Sequence, residues 1–137
     1  MVANVLDRFE FRSVRANEAE EIAEIEKICF PPHEACSKKD MFERVEHAPE
    51  LFLVAVDKET GTIAGFLNGL ATDEEAFRDE FFTDITVHNP EGKNIFLLGL
   101  DVRPEYRRQG LAREIMNQYV KREQAKGRKM LKLTCLE

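Results

Sequence analysis

The densest chemistry in this sequence lies in one segment, Leu100-Asp-Val-Arg-Pro-Glu-Tyr-Arg-Arg-Gln-Gly-Leu-Ala112. An apolar stretch leads into a basic loop, and the loop leads into an amphipathic helix. The first turn of a helix leaves amide donors unpartnered and carries the positive end of the dipole, so an anion set there is held by backbone as well as by side chains. Gly110 lets the backbone approach such a ligand, and Ala112 keeps the helix start free of bulk. Arg103, Arg107, Arg108 and Arg113 gather positive charge on an otherwise acidic chain. The segment reads as a cradle for an anion. It has neither the GxxxxGK[ST] of a nucleotide P-loop nor the GxGxxG of a dinucleotide fold.

Other reactive residue types are sparse. The three cysteines, Cys29, Cys36 and Cys135, are odd in number and form no CxxC pair, which argues against a disulfide framework and against a zinc site. Cys29 on a helix face and Cys135 in a strand read as small buried hydrophobes rather than nucleophiles. No metal is expected. His47 and His88 read as surface or turn residues, and Glu18, Glu20, Glu21 and Glu24 as a solvated helix face. Phe30, Phe77, Phe81 and Phe82 read mainly as core, with some available to line an apolar pocket.

The elements that must position the cradle follow from periodicity. Residues 9–15 alternate as an opening strand, and Asn17 with Glu20 caps a helix whose apolar face is Ala19, Ile22, Ile25, Ile28 and Cys29. Pro31 and Pro32 force a loop, after which Ser37 with Asp40 caps a second helix bearing Met41, Phe42 and Val45. Apolar runs at 51–56 and 62–70 flank the turn at 57–61 and predict a hairpin. Thr72 with Glu75 predicts a short helix or ordered insertion. Residues 95–102 predict a central strand buried on both faces, with Gly99 as a bulge or splay point. Ile115, Met116, Tyr119 and Val120 follow Ala112 at helical spacing, Gly127 ends that helix, and 130–136 form a last strand. The order is that of a mixed α/β single domain over residues 1–137.

Composition sets the outer limits. A chain of 137 residues with 43% hydrophobic and 34% charged positions suits one globular domain able to form a core without disulfides. A net charge of -6 has the wrong sign for binding nucleic acid through its phosphates. No apolar run approaches the ~18 residues of a membrane span, and Asp7, Arg8 and Glu10 interrupt the N-terminus where a signal peptide would be apolar. The expectation is a cytoplasmic protein with neither nucleic acid nor membrane as partner.

Residues Arg107-Arg-Gln-Gly-Leu-Ala112 resemble the acetyl-CoA signature [Q/R]-x-x-G-x-[G/A] of the GNAT N-acetyltransferase family. Val-x-Pro-x-Tyr-Arg before it, the helix after it and the strand at 130–136 stand in the family's order. Glu24-Ile-Glu-Lys-Ile-Cys-Phe30, Pro49-Glu-Leu51 and Thr86-Val-His-Asn-Pro-Glu-Gly92 look like the family's arylalkylamine N-acetyltransferase branch. The resemblance implies the GNAT acyl-CoA N-acyltransferase fold, a central mixed sheet flanked by helices. It implies acetyl-CoA as co-substrate and acetyl transfer by direct attack of a primary amine of a small molecule with an apolar or polyamine-like body. It also implies that amides of Leu100 and Val102 pair with the pantetheine arm, and that residues 108–113 hold the pyrophosphate. The coenzyme-binding set is thus Leu100, Asp101, Val102, Arg107, Arg108, Gln109, Gly110, Leu111, Ala112 and Arg113. A strand amide near Leu100 would stabilise the oxyanion.

The chain also departs from that branch. Two histidines that relay the amine's proton there correspond to Phe96 and Leu98 here. An alkylammonium has no lone pair with which to attack a thioester, so another base must serve. His33 and Glu34, on a loop resembling the acceptor-site lid, are the first candidates, with His88 and Glu137 behind them. The missing histidines favour one rival, a non-catalytic acyl-CoA-binding or regulatory module; a second rival is a subunit acting mainly through protein contacts. In the family the last strand here is followed by a helix, whose tyrosine protonates the departing thiolate, and by a hairpin. Tyr106, in the phosphate loop, and Tyr119, on the apolar face of the coenzyme helix, do not replace that tyrosine. The chain is therefore expected to lack the family's C-terminal part, to turn over weakly while still binding coenzyme, and to offer an exposed edge for a homodimer.

Overall fold

The computed structural model describes residues 5–32, 37–75 and 88–133. Strands β1 (Phe9–Arg12), β2 (Phe52–Asp57), β3 (Ile63–Thr72), β4 (Asn94–Val102) and β5 (Met130–Leu133) form one mixed sheet in sequence order. β1 to β4 pair antiparallel, and β5 joins β4 in parallel. Helices α1 (Ala19–Cys29) and α2 (Lys38–His47) cover one face, and α3 (Leu111–Ala125) covers the other.

A sheet covered on both faces needs an apolar set on each. Ile22, Ile25, Met41 and Val45 from the helices meet Phe52, Val54, Ile63 and Phe66 on one side. Leu111, Ile115 and Tyr119 meet Leu53, Ala55, Leu67, Ile95 and Leu97 on the other. The strict alternation of Phe52 and Val54 against Leu53 and Ala55 is what sends neighbouring residues into different layers. This is why 52–57 and 63–72 are buried throughout.

Several boundaries differ from those expected. β1 stops at Arg12, whose guanidinium grips both oxygens of Glu18 at 2.8 and 2.6 Å. Glu18 also accepts the Arg15 amide at 2.8 Å, so the chain makes a 3-10 turn at Ala16–Glu18 before α1 begins, and Asn17 is not its cap. Ser37 does cap α2, accepting the Asp40 amide at 3.1 Å. Thr72 ends β3 with its hydroxyl accepting the Glu74 amide; the helix expected beyond it, with Phe77, Phe81 and Phe82, falls outside the described residues. β3, not β4, is the middle strand, because β1 pairs on the far side of the hairpin and takes the outer place.

One irregularity shapes the site. Asn68 pairs with Gly99 and Gly69 with Leu97, which leaves Leu98 as an extra residue on β4. The bulge reverses the alternation. Ile95 and Leu97 face α3 before it; Leu100 and Val102 face α3 after it, while Gly99 and Asp101 turn toward α1.

Candidate functional site

The chain leaves β4 at Val102, makes a 3-10 turn at Pro104–Tyr106 and enters α3 through four residues. Arg108 has φ 65° and Gly110 φ 79°, both in the left-handed region. The Arg108 conformation costs a residue with a side chain about 1–2 kcal/mol, a strain that clusters at functional sites. Gly110 is the N-cap and supplies no side-chain acceptor, so the amides of Leu111, Ala112 and Arg113 lack an intrahelical or capping partner. Successive amides turned by such a loop form a concave nest for an anion. Arg107, Arg108 and Arg113 are exposed around it.

The entry to the nest is tied down. The Tyr106 hydroxyl donates to Asp57 Oδ2 at 2.8 Å, and Arg8 donates to the same oxygen at 2.7 and 3.1 Å. The Arg8 guanidinium beside Asp57 holds its carboxyl well below the usual carboxylate range. Phe9 packs edge-on against the Tyr106 ring at 5.8 Å. Arg103 donates to the Ile63 carbonyl and to Glu21, and so belongs to the scaffold rather than to the nest.

Before the nest, β4 has an edge that is unpaired among the described residues. The Arg103 amide donates to the Ala64 carbonyl on β3, so by alternation the Asp101 amide also faces β3, and the Leu100 and Val102 amides face away from it. Among the described residues β5 pairs with β4 only from Asn94 to Leu97. The Val102 carbonyl accepts from Arg107 Nε at 3.0 Å and from Cys29 Sγ at 3.4 Å. The nest thus follows directly on the outward-facing amides along the chain from β4 into α3. A nest of this kind suits an anion, and an outward-facing row of strand amides suits an extended chain.

The expected site residues divide accordingly. Leu100, Val102, Arg107, Arg108, Gln109, Gly110, Leu111, Ala112 and Arg113 lie along that edge and the nest. Asp101 does not: its side chain is 1% exposed and points into the α1 layer, and its amide serves β3. The bulge at Leu98 is the cause. His33 and Glu34 lie outside the described residues, as does Glu137.

His88 is structural. Its Nδ1 accepts the Ala71 amide at 3.1 Å, which leaves Nε2 as the donor to Glu50 at 2.8 Å. Burial pushes the Cys29 thiol up, and Asp101 nearby adds to this, so it is no nucleophile. Tyr119 donates to the Leu51 carbonyl at 2.9 Å and is wholly buried.

Periodicity missed a second polar group behind β4. Glu26, Arg44, Asn68 and Asp101 are all buried there. Burial, with a hydrogen bond to Glu26, pushes the Asp101 carboxyl up to about 9. A signal existed, since Glu26 sits on the α1 stripe of Ala19, Ile22, Ile25 and Cys29, where a solvated residue would not.

Comparison with known proteins adds a lineage to this geometry. The sequence profile of the Acetyltransferase (GNAT) family matches residues 19–137. The chain is 31% identical over 114 residues to the Probable hydrolase YhcX of Bacillus subtilis (strain 168), covering 75% of this chain but only 22% of that protein. Among solved structures, the loading GNATL domain of CurA from Lyngbya majuscula superposes with a TM-score of 0.72 at 14% identity, over 83% of this chain and 57% of that one. Diaminobutyrate acetyltransferase EctA from Paenibacillus lautus, solved with L-2,4-diaminobutyric acid and coenzyme A, gives 0.65 at 16% identity, over 93% and 65%. The chain thus spans somewhat over half the length of these solved chains and about a fifth of the curated relative.

Proposed function

This chain belongs to the Acetyltransferase (GNAT) family, and from that premise we propose that it transfers an acetyl group from acetyl-CoA to the primary amine of a small molecule. The observation that carries the reading is an uncapped helix N-terminus with left-handed residues at 108 and 110, following directly along the chain on outward-facing amides at Leu100 and Val102. The amides of residues 108–113 bind the pyrophosphate, and those of Val102 and Leu100 take the pantetheine arm as an added strand. The arm then runs toward the bulge, where a strand amide near Leu100 meets the acyl oxygen and stabilises the charge it gains.

The amine attacks the thioester carbon directly. His33 and Glu34, in the stretch of sequence between α1 and α2, take the proton that the ammonium must lose first. The acceptor is a small amine with an apolar or polyamine-like body, in line with the resemblance of residues 24–30 and 86–92 to the arylalkylamine branch. Acetyl-CoA at about a hundred times its Kd adds roughly 2.7 kcal/mol to stability. Melting with and without acetyl-CoA, then coenzyme A release on a panel of arylalkylamines, polyamines and peptide N-termini, tests the reading. A Tm unmoved by saturating acetyl-CoA contradicts it, and release with peptides alone overturns the acceptor class. A Tm rise without release on any amine favours a non-catalytic acyl-CoA-binding module.

A further inference from the structure

One face of α2 is spent on the core and the other is not. Met41 and Val45 pack with α1 and the sheet, while Lys38, Lys39, Phe42 and Glu46 are exposed and Glu43 is half-buried. Phe42, 39% exposed, is one of two large hydrophobic side chains left open among the described residues. It stands on the helix surface between Lys38, four residues before it, and Glu46, four residues after it. The Lys38 ammonium lies 5.7 Å from the centre of its ring. Lys39 and Glu43 flank the same stripe, and these five residues line one shallow hollow.

The charges on this stripe run against the helix. The first turn of a helix favours anions and the last turn cations, and a lysine four residues before a glutamate is the weaker order of that pair. Asp40 in the first turn, and Arg44 and His47 in the last, obey the rule. The exposed stripe inverts it, with Lys38 and Lys39 at the start and Glu43 and Glu46 toward the end. Among the described residues none of these four has an ion-pair partner. A positive end, an apolar centre and a negative end make a self-complementary pattern. Laid antiparallel about a two-fold axis beside Phe42, two copies set one Phe42 on the other and bring Lys38 and Lys39 of each chain to Glu46 and Glu43 of its mate. Parallel pairing would set like charge on like, and an acidic or a basic peptide would match one end and be repelled at the other.

We propose that this stripe of α2 docks a second copy of the chain in a two-fold symmetric dimer. A ten-residue helix supplies less than the ~800 Å² per partner of a standard interface, so the dimer is a weak one. It differs from pairing at the β5 edge. Because α2 and α3 cover opposite faces of the sheet, it also leaves the nest at the start of α3 free.

Sedimentation equilibrium of the full chain in moderate salt, from micromolar to millimolar concentration, tests this with two double variants, Lys38→Glu with Lys39→Glu, and Glu43→Lys with Glu46→Lys. Both place charges where the helix dipole favours them, so neither should melt α2, which circular dichroism checks. The expected result is that the wild type approaches the mass of two chains. Each variant alone, meeting like charge, should associate at least about tenfold more weakly, and an equimolar mixture of the two should restore a dimer. Should a double variant fail to fold, Lys38→Glu and Glu46→Lys make the same comparison. A wild type that stays monomeric to millimolar concentration, a dimer that both variants retain, growth beyond two chains, or a loss that mixing does not restore overturns the proposal.

Discussion

Replacing Gly110 by glutamate and, in parallel, by glutamine separates the backbone of the nest from its charge. Gly110 sits at φ 79° with nothing within 4 Å of where a Cβ would stand, so neither side chain clashes. Both variants carry the same left-handed penalty, about 1–2 kcal/mol, and should lose the same few degrees of Tm. They differ only in a charge at the mouth of the nest. A carboxylate about 5–6 Å from one phosphate charge, at an effective dielectric between about 20 and 80, is repelled by about 1–3 kcal/mol. Titration calorimetry with coenzyme A at low salt should therefore show the glutamate variant binding about 5- to 150-fold more weakly than the glutamine variant. In about 1 M salt, where the screening length falls to about 3 Å, most of that gap should close. Equal affinity of the two variants at low salt would show that no phosphate sits at Gly110.

Three further outcomes are expected. Tyr106→Phe removes the hydroxyl bound to Asp57 at 2.8 Å and should cost about 1.5–3 kcal/mol in urea unfolding; an unchanged midpoint would mean that the bond does not anchor the turn. Gly69→Ala would place a Cβ 2.6 Å from the Tyr119 hydroxyl and 3.0 Å from the Phe96 carbonyl, an overpacking expected to cost about 1–3 kcal/mol and readable as a lowered Tm. Asp101 keeps its proton in the folded chain to about 9 but loses it near 3.8 when unfolded, so wild-type stability should fall as pH rises through that window. In Asp101→Asn this fall should be absent, and a variant whose stability tracks the wild type from pH 5 to pH 8 would contradict the buried, protonated carboxyl.

Local rules carried the reading of the fold. Ser37 with Asp40 caps α2, Gly127 ends α3 at φ 88°, and the turn at 57–61 joins β2 to β3. The nest was legible too, because Arg107-Arg-Gln-Gly depends on nearest neighbours. What stayed hidden was set by pairing between distant segments. The Leu98 bulge exists only in register with Asn68 and Gly69, and without it Asp101 would face the same layer as Leu97. The Asn17 cap lost to Glu18, since the bidentate grip of Arg12, six residues earlier, outweighs a local hydroxyl or amide cap. His88 was read as a turn residue, but nothing adjacent to it in sequence shows that it bridges Ala71 and Glu50.

The claim on which the rest depends is that one groove, from the bulge on β4 to the first turn of α3, receives the coenzyme. Amide chemical-shift mapping of the 15N-labelled chain on titration with coenzyme A tests it most directly. The predicted result is a contiguous set of saturable shifts at Gly99, Leu100 and Val102 and from Arg108 to Arg113, with 3′,5′-ADP moving the second group and not the first. Shifts confined to the faces of α1 and α2, or none at saturating coenzyme A, would contradict the account.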